Sequence, residues 1–213
     1  MIEYPNAYFR LTDPHPQMFG NFEVPEGWWS RAFEYDFAMQ YAHAGQVVAD
    51  MGMGWHYRPL HDALSIVCDF VYGVDSHKGI LDLPPMAHGT YIVADFSQPI
   101  EGIPPASLDR IFCISVLEEL INYQDALSEF KRLLKPDGLC IITCDVPYKD
   151  DKPAHEKYKG VKLDEVEDAI KAAGLAYDGM VNRVKYDDLL HHDDFNLCVW
   201  HMTLKHAEFL RHA

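Results

Sequence analysis

Short, mostly apolar runs alternate with amphipathic segments along most of this chain. Five runs are rich in Val, Ile, Ala and Cys, at residues 47–51, 71–75, 91–95, 108–115 and 139–146. Runs of this length and character are typical of strands that are buried on both faces of a sheet. Because turn or helical patterns separate them, we predict a parallel sheet with helices on both faces.

Apolar residues at three- and four-residue spacing predict the helices. The pattern covers residues 28–44, a stretch around 60–68, and residues 124–134 and 161–173. The first of these carries one Trp, two Phe and one Tyr at four-residue spacing. Lys135-Pro136-Asp137-Gly138 predicts a turn between the third helix and the fifth strand.

The two ends of the chain differ from its middle. Residues 176–184 and 196–204 predict two further strands with no helix between them, so we expect these strands to pair antiparallel. The start of the chain is rich in Pro and aromatic residues, which predicts an irregular arm. We therefore predict a single domain over residues 1–213, with an arm and lid helix at 1–44 and a core at 45–206.

The formal charge of −15 reflects 33 acidic against 18 basic residues. This balance opposes binding to nucleic-acid phosphates and to anionic lipid, so we predict neither partner. No apolar run approaches the roughly 20 residues of a membrane helix, and the N-terminus lacks the basic flank and apolar stretch of a signal peptide. Five scattered cysteines, expected to be reduced and buried, favour a cytoplasmic protein. The oligomeric state stays open.

The first strand ends in an acidic residue and two close glycines, Asp50, Gly52 and Gly54. Glycine removes the Cβ atom where the chain must turn sharply and where a ligand must approach the backbone. In open α/β sheets, a turn of this kind between a strand and a helix is where nucleotides bind. The pattern therefore predicts a nucleotide site after the first strand.

Two more predicted strands end in aspartates, Asp75 and Asp95. Because the carboxyl ends of parallel strands meet at one edge of the sheet, both carboxylates lie where they can accept hydrogen bonds from ribose hydroxyls or an exocyclic amine. Asp75 follows Gly52 by 23 residues, close to the spacing of about 20 that is typical of a ribose-binding acid.

This ordered set resembles the class I S-adenosylmethionine-dependent methyltransferases over about residues 45–205. The resemblance rests on five segments taken together, which are Val48 to Gly54, Gly73 to Asp75, Val93 to Phe96, Leu108 to Glu118 and Phe130 to Leu139. It implies an α/β fold with a Rossmann-like, seven-stranded, mostly parallel sheet, an antiparallel last strand and helices on both faces. It also implies S-adenosylmethionine as the cofactor.

The resemblance implies a role for each residue around the methionine and ribose parts of the cofactor. Asp50, Gly52 and Gly54 would hold the methionine part. Asp75 would bind the ribose hydroxyls, and Val74 or Ser76 would border the adenine.

The resemblance also implies the remaining cofactor contacts. Asp95 would accept a hydrogen bond from the adenine amine, and Phe96 would lie against the adenine ring. Ser115 would lie beside the sulfonium, at the end of the fourth strand. Tyr35 resembles residues of an N-terminal helix that close over the cofactor in some members.

The chain departs from the family pattern at two positions. His56 stands where the family usually has the third glycine of the first turn, and Glu119 stands where many small-molecule members have histidine. Because each replaces a family residue beside the cofactor, His56 and Glu119 are the candidate catalytic bases. Tyr57, Glu118 and His155 are further candidates.

We expect the methyl acceptor to be a small organic molecule. Residues 1–30 and the loop 147–160 lie outside the cofactor core, and such segments usually form the substrate pocket. The alternative is an S-adenosylmethionine-binding protein without turnover, acting as a partner or sensor. The loss of the third glycine and of the usual Glu-His pair motivates that alternative.

Three other patterns compete for the same residues. A nicotinamide dehydrogenase also has a glycine-rich first turn, but His56 breaks its fingerprint. Asp145-Val146-Pro147-Tyr148 is similar to a signature of amino methyltransferases that act on nucleic-acid bases, yet it follows the fifth strand rather than the fourth, so we interpret it as a strand exit. His191-His192-Asp193-Asp194 could bind a metal, but adjacent residues rarely converge on one ion. We interpret it as a solvated turn and predict no metal site.

Overall fold

The computed structural model describes residues 4–15, 18–19, 22–25, 28–149 and 160–208. The helices in this part of the chain are α1 (Arg31–Met39), α2 (Pro59–Val67), α3 (Tyr123–Leu133) and α4 (Leu163–Ala172), with 3-10 turns at Lys78–Asp82 and Leu117–Glu119. The strands are β1 (Asn6–Tyr8), β2 (Met18–Phe19), β3 (Phe22–Glu23), β4 (Val47–Met51), β5 (Phe70–Asp75), β6 (Gly89–Val93), β7 (Leu108–Ile114), β8 (Leu134–Pro147), β9 (Leu175–Tyr177), β10 (Val181–Asn182), β11 (His191–His192) and β12 (Leu197–His206).

Parallel strands form the centre of the sheet, in the order β6, β5, β4, β7 and β8. β12 runs antiparallel beside β8, with His201 opposite Thr143. β9 pairs antiparallel with the far end of β12, where Tyr177 lies opposite Leu204. The prediction of a mostly parallel sheet with an antiparallel last strand is confirmed, and so is the antiparallel pairing of the closing strands. The described sheet has ten strands instead of the expected seven, because the short strands β1, β10 and β11 extend it.

Buried side chains on the two faces of the sheet belong to two separate clusters. Val48 and Ala49 are adjacent on β4 and fully buried, so their side chains point to opposite faces. Ala49 shares a cluster with Phe130 of α3, whereas Val48 shares one with Phe37 of α1 and Leu64 of α2. Helices therefore cover both faces, as the alternation of strands and helices predicts.

The N-terminal arm contains a strand that we did not predict. β1 pairs antiparallel with β12 and parallel with β10. The buried Asn6 side chain donates to the carbonyl oxygens of Asp178 and Met180 and accepts from the amide of Thr203. A three-residue strand among Pro and aromatic residues is too short to show an alternating pattern, so only its long-range partners define it.

Two predicted elements are shorter than expected. The helix predicted over residues 28–44 is limited to α1, and the chain leaves the helix after Met39. The strand predicted over residues 176–184 is divided into β9 and β10. Gly179 lies between them with φ of +86°, a backbone conformation that interrupts an extended strand.

The turn predicted at residues 135–138 lies inside β8. Leu108 pairs with Leu134, but Arg110 pairs with Leu139, so the extra residues of β8 are extruded between two paired positions. This is a bulge in the ladder rather than a break between elements. The turn-forming residues are therefore where we expected them, while the pairing with β7 continues past them.

All five cysteines are buried and unbridged, as the sequence predicts. Burial raises the pKa of the Cys68 thiol to about 11, and it raises the pKa values of Cys140 and Cys144 as well. These thiols are therefore protonated core residues. In the described part of the chain, every helix is too short or too polar to cross a bilayer.

Candidate active site

The glycine turn after β4 adopts the geometry that its sequence predicts. Gly52 and Gly54 have φ of +78° and +73°, in the region that side chains disfavour. A Cβ atom on Gly52 would lie 2.5 Å from the Val116 side chain, so close packing also requires glycine there. At Gly54 the nearest atom would be the Tyr57 carbonyl oxygen at 3.4 Å, which leaves the backbone open to a ligand.

Asp75 joins this turn to the end of β5. Its Oδ2 accepts a 2.9 Å hydrogen bond from the Gly54 amide, and its Oδ1 accepts one of 2.8 Å from the His77 amide. Each carboxylate oxygen can accept a second hydrogen bond, so Asp75 retains capacity for ribose hydroxyls. Ser76 is exposed beside it. These residues fit the nucleoside-binding role that the resemblance implies.

Asp50 lies behind the turn instead of on its open side. The residue is 4% exposed, and its Oδ2 lies 3.2 Å from Nδ1 of His61 on α2, which is equally buried. A Cβ atom on the neighbouring Gly73 would lie 2.7 Å from the His61 ring. Asp50 therefore anchors α2 to β4 through His61. Its predicted contact with the methionine part of a cofactor stays a prediction.

Asp95 and Phe96 follow β6 and face in different directions. Asp95 is exposed, and its Oδ1 accepts a 3.0 Å hydrogen bond from the Ser97 amide, which lowers the pKa of the carboxyl group. The Phe96 ring is buried and lies 6.2 Å from the ring of Phe130. Asp95 is thus available to a ligand, whereas Phe96 is part of the core and exposes little ring surface.

Ser115 connects the end of β7 to α1 and β8. It has a positive φ of +49°, and its amide donates to the Thr143 carbonyl oxygen at 3.0 Å. Its hydroxyl donates a 2.6 Å hydrogen bond to Oε2 of Glu34, which also accepts one from the Thr143 hydroxyl. Arg31 donates to Oε1 of the same carboxylate at 2.6 Å.

Glu34 is fully buried at the centre of this network. Burial opposes its ionisation, but the charge of Arg31 and the hydrogen bonds from Ser115 and Thr143 outweigh that effect. The pKa of Glu34 therefore lies below its usual value, and the side chain is a carboxylate. The ion pair with Arg31 fixes the first turn of α1 over the edge of the sheet.

Aromatic residues of α1 and of the segment before it lie over the glycine turn. Tyr35 on α1 is buried, and burial raises the pKa of its hydroxyl, so the residue is neutral. Trp28, just before α1, packs edge-to-face on Tyr57 with ring centroids 4.7 Å apart. The Tyr57 hydroxyl donates to the Glu23 carbonyl oxygen. The segment leading into α1 thus covers the glycine turn.

A cavity of about 290 Å³ opens between this segment and the carboxyl ends of β7 and β8. Its walls come from four parts of the chain. They are Trp28, Trp29, Ser30 and Arg31, then Ser115, Glu118 and Glu119, then Asp145, and finally Phe195 and Leu197. Ser115, predicted to lie beside a sulfonium, therefore also borders a space large enough for a small molecule.

Two carboxyl groups in the cavity wall have unusual environments. Glu118 Oε1 accepts from the Asp145 amide at 3.1 Å, while Glu118 Oε2 and Asp145 Oδ1 are buried and have no hydrogen-bond partner in the described part of the chain. Burial, and then the neighbouring Asp145, raises the pKa of Glu118 well above its usual value. Burial and the charge of Glu34 raise the pKa of Asp145 to about 7. Both carboxyl groups therefore bind a proton more readily than exposed carboxyl groups do.

The two predicted catalytic residues lie in different places. Glu119 is exposed and lines the cavity. His56 is exposed on the turn after Gly54, with its ring 3.3 Å from that of Trp55, and it is not among the residues that line the cavity. Trp55 in turn stacks on His77. His155 lies outside the described residues.

His191 and His192 form β11 and pair with β12, so our interpretation of the histidine–aspartate run as a solvated turn is wrong for these two residues, and both make ring contacts. His191 stacks on Tyr148 and His192 stacks on Phe195, each with centroids 4.1 Å apart. His191 lies 3.6 Å from Asp193. Across the described ranges, no group of three or more His, Cys, Asp or Glu side chains has the arrangement of a metal site.

Sequence reasoning identified Glu118 and Glu119 as candidates but gave no role to Glu34 or Asp145, which the fold brings close to them. Asp145 lies near the end of β8, opposite Val199, and β8 ends at Pro147, so the interpretation of this segment as a strand exit is confirmed. The sequence did not indicate that Asp145 lines the cavity. Thr143 and Asp145 are two residues apart in an apolar strand and so share one face, a pattern that could have indicated a polar site. Glu34 lies between Phe33 and Tyr35, where an acidic residue on a buried helix face was the available signal.

The comparison with protein families agrees with this geometry. Residues 49–142 match the family described as a methyltransferase domain. That range begins in β4 and ends in β8, so it contains the glycine turn, Asp75 and Ser115. No curated protein sequence matches the chain.

Several solved structures have the same fold. The [4+2]-cyclase SpnF is 12% identical, with a TM-score of 0.67 over 94% of this chain and 86% of its own. An S-adenosylmethionine-dependent methyltransferase from Aquifex aeolicus is 16% identical, with a TM-score of 0.60 over 80% of this chain and 88% of its own. Another from Mesorhizobium loti is 13% identical, with a TM-score of 0.61 over 84% and 98%.

These likenesses establish the fold, and the two methyltransferases are named for the cofactor that we expect here. The cyclase has the same fold, so the fold by itself does not determine the reaction. Residues 49–142 match the methyltransferase-domain family, and the sheet that surrounds them has the Rossmann-like fold of the solved S-adenosylmethionine-dependent methyltransferases.

Proposed function

We propose that this chain transfers the methyl group of S-adenosylmethionine to a small organic acceptor. The observation that carries the proposal is the position of Ser115. It follows β7 at the same sheet edge as the glycine turn and Asp75, and it lines the 290 Å³ cavity. A methyl donor held over the turn would therefore present its reactive end to an enclosed acceptor.

The residues that would hold S-adenosylmethionine lie along this edge. Gly52 and Gly54 leave the backbone open, and Asp75 keeps acceptor capacity for the ribose. Asp95 and Ser76 are exposed on the adenine side. Asp50 and Phe96 are buried, and we propose that they support the site from behind.

The reaction mainly requires that the acceptor be aligned with the methyl group, since the sulfonium already activates that group. Holding two reactants in line can lower a barrier by about 7–11 kcal/mol in favourable cases. The lid region of residues 1–44 contributes Trp28, Trp29 and Arg31 to the cavity, and Tyr35 lies on the same helix. This region would orient the acceptor and exclude water.

An acceptor that carries a proton also needs a base. Glu119 lines the cavity and is the candidate that its position favours. His56 lies on the turn itself and would act only on a group that reaches past Gly54. The net charge of −15 opposes a nucleic-acid acceptor, and the unbridged cysteines suit the reducing cytoplasm.

Isothermal titration with S-adenosylhomocysteine tests the cofactor assignment. We expect the wild type to bind and Asp75→Ala to lose affinity by about tenfold or more, because charge-assisted hydrogen bonds contribute roughly 1.5–3 kcal/mol. Asp82→Ala is the control, since Asp82 is exposed on the nearby 3-10 turn. Unchanged affinity in Asp75→Ala would show that the assignment is wrong.

A second experiment separates turnover from binding alone. The protein is incubated with methyl-labelled S-adenosylmethionine and a metabolite extract, and label is followed into products. We expect reproducible label in at least one product. Binding of S-adenosylhomocysteine without any labelled product would favour the alternative of a binding protein that acts as a partner or sensor.

A further inference from the structure

The charge of the cavity wall restricts what the cavity can bind. Arg31 is the one basic residue among the described residues of the wall, and its guanidinium donates to Glu34 at 2.6 Å. That positive charge is therefore already matched by a fully buried carboxylate. The other ionisable side chains that line the cavity, Glu119, Glu118 and Asp145, are all acidic, so the described wall offers no unmatched positive charge. An anionic acceptor would be repelled.

Two carboxylate oxygens in the wall also lack donors. Glu118 Oε2 and Asp145 Oδ1 are buried, and neither has a hydrogen-bond partner among the described residues. A buried acceptor without a donor costs about 1–3 kcal/mol, and more when it is charged. A single proton can satisfy only one of these two oxygens. A ligand that brings N–H donors and positive charge would meet the rest.

Another part of the cavity wall is aromatic. Trp28, Trp29 and Phe195 contribute rings to its lining. The faces of aromatic rings attract cations, by about 0.5–1 kcal/mol at exposed sites and about 2 kcal/mol when desolvated. Trp28 already has the Arg31 guanidinium at 6.0 Å from its ring centroid, so this part of the wall tolerates positive charge.

From these three observations we infer that the methyl acceptor is an organic amine, which enters the cavity as an ammonium ion between the aromatic side and the Glu118–Asp145 pair. The inference rests on the proposed function and narrows its substrate class. A neutral alcohol has one O–H donor for the two unpaired oxygens, and it carries no positive charge to interact with the acidic side chains.

The same pair can accept the proton that an amine must lose before it reacts. The ammonium N–H transfers its proton to a carboxylate oxygen of the pair, and the nitrogen keeps the electron pair. The nitrogen then forms a bond to the methyl carbon while the carbon–sulfur bond breaks and its electrons remain on sulfur. The products are a methylated ammonium, a neutral thioether and a carboxylic acid that returns its proton to water.

Titration of the protein saturated with S-adenosylhomocysteine tests this inference. The probes are benzylamine, benzyl alcohol and benzoate, which share a ring and differ in charge. At pH 7.5 we expect benzylamine to bind at least about tenfold more tightly than benzyl alcohol, since hydrogen bonds to charged groups contribute roughly 1.5–3 kcal/mol. We expect benzoate to bind most weakly. An amine that binds no more tightly than the alcohol overturns the inference.

Matched variants test the residues. Glu118→Gln with Asp145→Asn keeps the shape of both side chains and removes their charge, and it should reduce the preference for amine over alcohol to within about threefold. Glu101→Gln is the control, because Glu101 is exposed away from the cavity, and it should keep the wild-type preference. A double variant that retains the full preference overturns the assignment to this pair.

Binding of S-adenosylhomocysteine separates the two possible failures. A wild type that does not bind it contradicts the proposed function. A wild type that binds it but shows no preference for benzylamine contradicts only the acceptor class. The same titration shows whether the double variant is folded, so a loss of amine preference is interpreted only alongside retained S-adenosylhomocysteine binding.

Discussion

The hydroxyl of Ser115 donates a 2.6 Å hydrogen bond to Oε2 of Glu34, and so joins the end of β7 to α1 across 81 residues of sequence. Ser115 adopts a positive φ at this point, which few residues other than glycine do. The contact connects the region expected to cover the cofactor to the residue expected beside the sulfonium. Any change at Glu34 should therefore affect both stability and the site.

We predict that Glu34→Ala lowers the free energy of unfolding by about 3–5 kcal/mol, the cost typical of removing one partner of a buried ion pair. Arg31 and the hydroxyls of Ser115 and Thr143 would lose their common acceptor. Urea unfolding followed by fluorescence measures the change. Glu101→Ala, at an exposed position, should cost less than about 0.5 kcal/mol. A similar small cost for Glu34→Ala would contradict the network.

Gly54 and Gly45 form a matched pair for testing the open turn. Both have positive φ, so alanine at either should cost about 1–2 kcal/mol of stability. A Cβ atom on Gly45 would have nothing within 4 Å, whereas one on Gly54 would occupy the side from which a ligand approaches. We expect titration with S-adenosylhomocysteine to show about tenfold weaker binding for Gly54→Ala alone. Equal affinities would place the ligand elsewhere.

The Asp145 carboxyl group should make stability depend on pH. Its pKa is raised to about 7 from an ordinary value of 3.8, so the folded state binds the extra proton and stability falls as pH rises from about 4 through 7. Asp145→Asn removes this penalty. We expect its melting temperature to exceed that of the wild type by about 5 °C at pH 8 and by less at pH 5.

The charged groups that affect the pKa of Asp145 are Glu34, Arg31 and Glu119. The pKa of Glu118 is raised as well. Asp194→Asn, in an exposed loop, serves as the control and should change the melting temperature equally at both pH values. A constant difference for Asp145→Asn between pH 5 and pH 8 would show that this carboxyl group has an ordinary pKa.

The buried His201 ring should make the protein less stable at low pH, which is the opposite of the effect of Asp145. Burial between Phe9 and Phe37 lowers the pKa of its ring to about 3 from an ordinary 6.5. The unfolded chain therefore binds a proton that the folded chain does not, and stability is lost as pH falls from about 6.5 towards 3. Replacing His201 with Phe removes this dependence.

We expect the melting temperature of the wild type to fall by several degrees more than that of His201→Phe between pH 7.5 and pH 5. Thermal scans at pH 7.5 and pH 5 give the change in melting temperature for each protein. The two changes can be compared even if the two proteins differ in stability at pH 7.5. His88→Phe, at an exposed position, should follow the wild type. If His201→Phe shows the same slope as the wild type, the buried ring is not the source of acid sensitivity.

The cofactor edge could be predicted from the sequence because its residues act through local geometry. Gly52 and Gly54 follow an apolar strand, and Asp75 closes the next one, so the rule that parallel strands end at one edge brings them together. The structure places all three as this rule predicts. Asp50 follows the same local pattern, yet its side chain is bound by His61, a partner that strand spacing does not identify.

The acidic cavity could not be predicted in this way. Glu34 accepts from Thr143 across 109 residues, and Asp145 meets Glu118 only because β7 and β8 are adjacent in the sheet. Such contacts depend on which strands are neighbours and on their register. No local pattern around Asp145 distinguishes a strand exit from a cavity wall.

By itself, therefore, the sequence determined the alternation of strands and helices, the glycine turn and the acids at strand ends. Burial produces a periodic pattern of apolar residues, and a sharp turn requires glycine at a particular position, so both can be recognised locally. Tertiary structure decided the acidic lining of the cavity and the raised pKa values of Glu118 and Asp145. Those properties arise when groups distant in sequence lose water together, and desolvation depends on every neighbour in space.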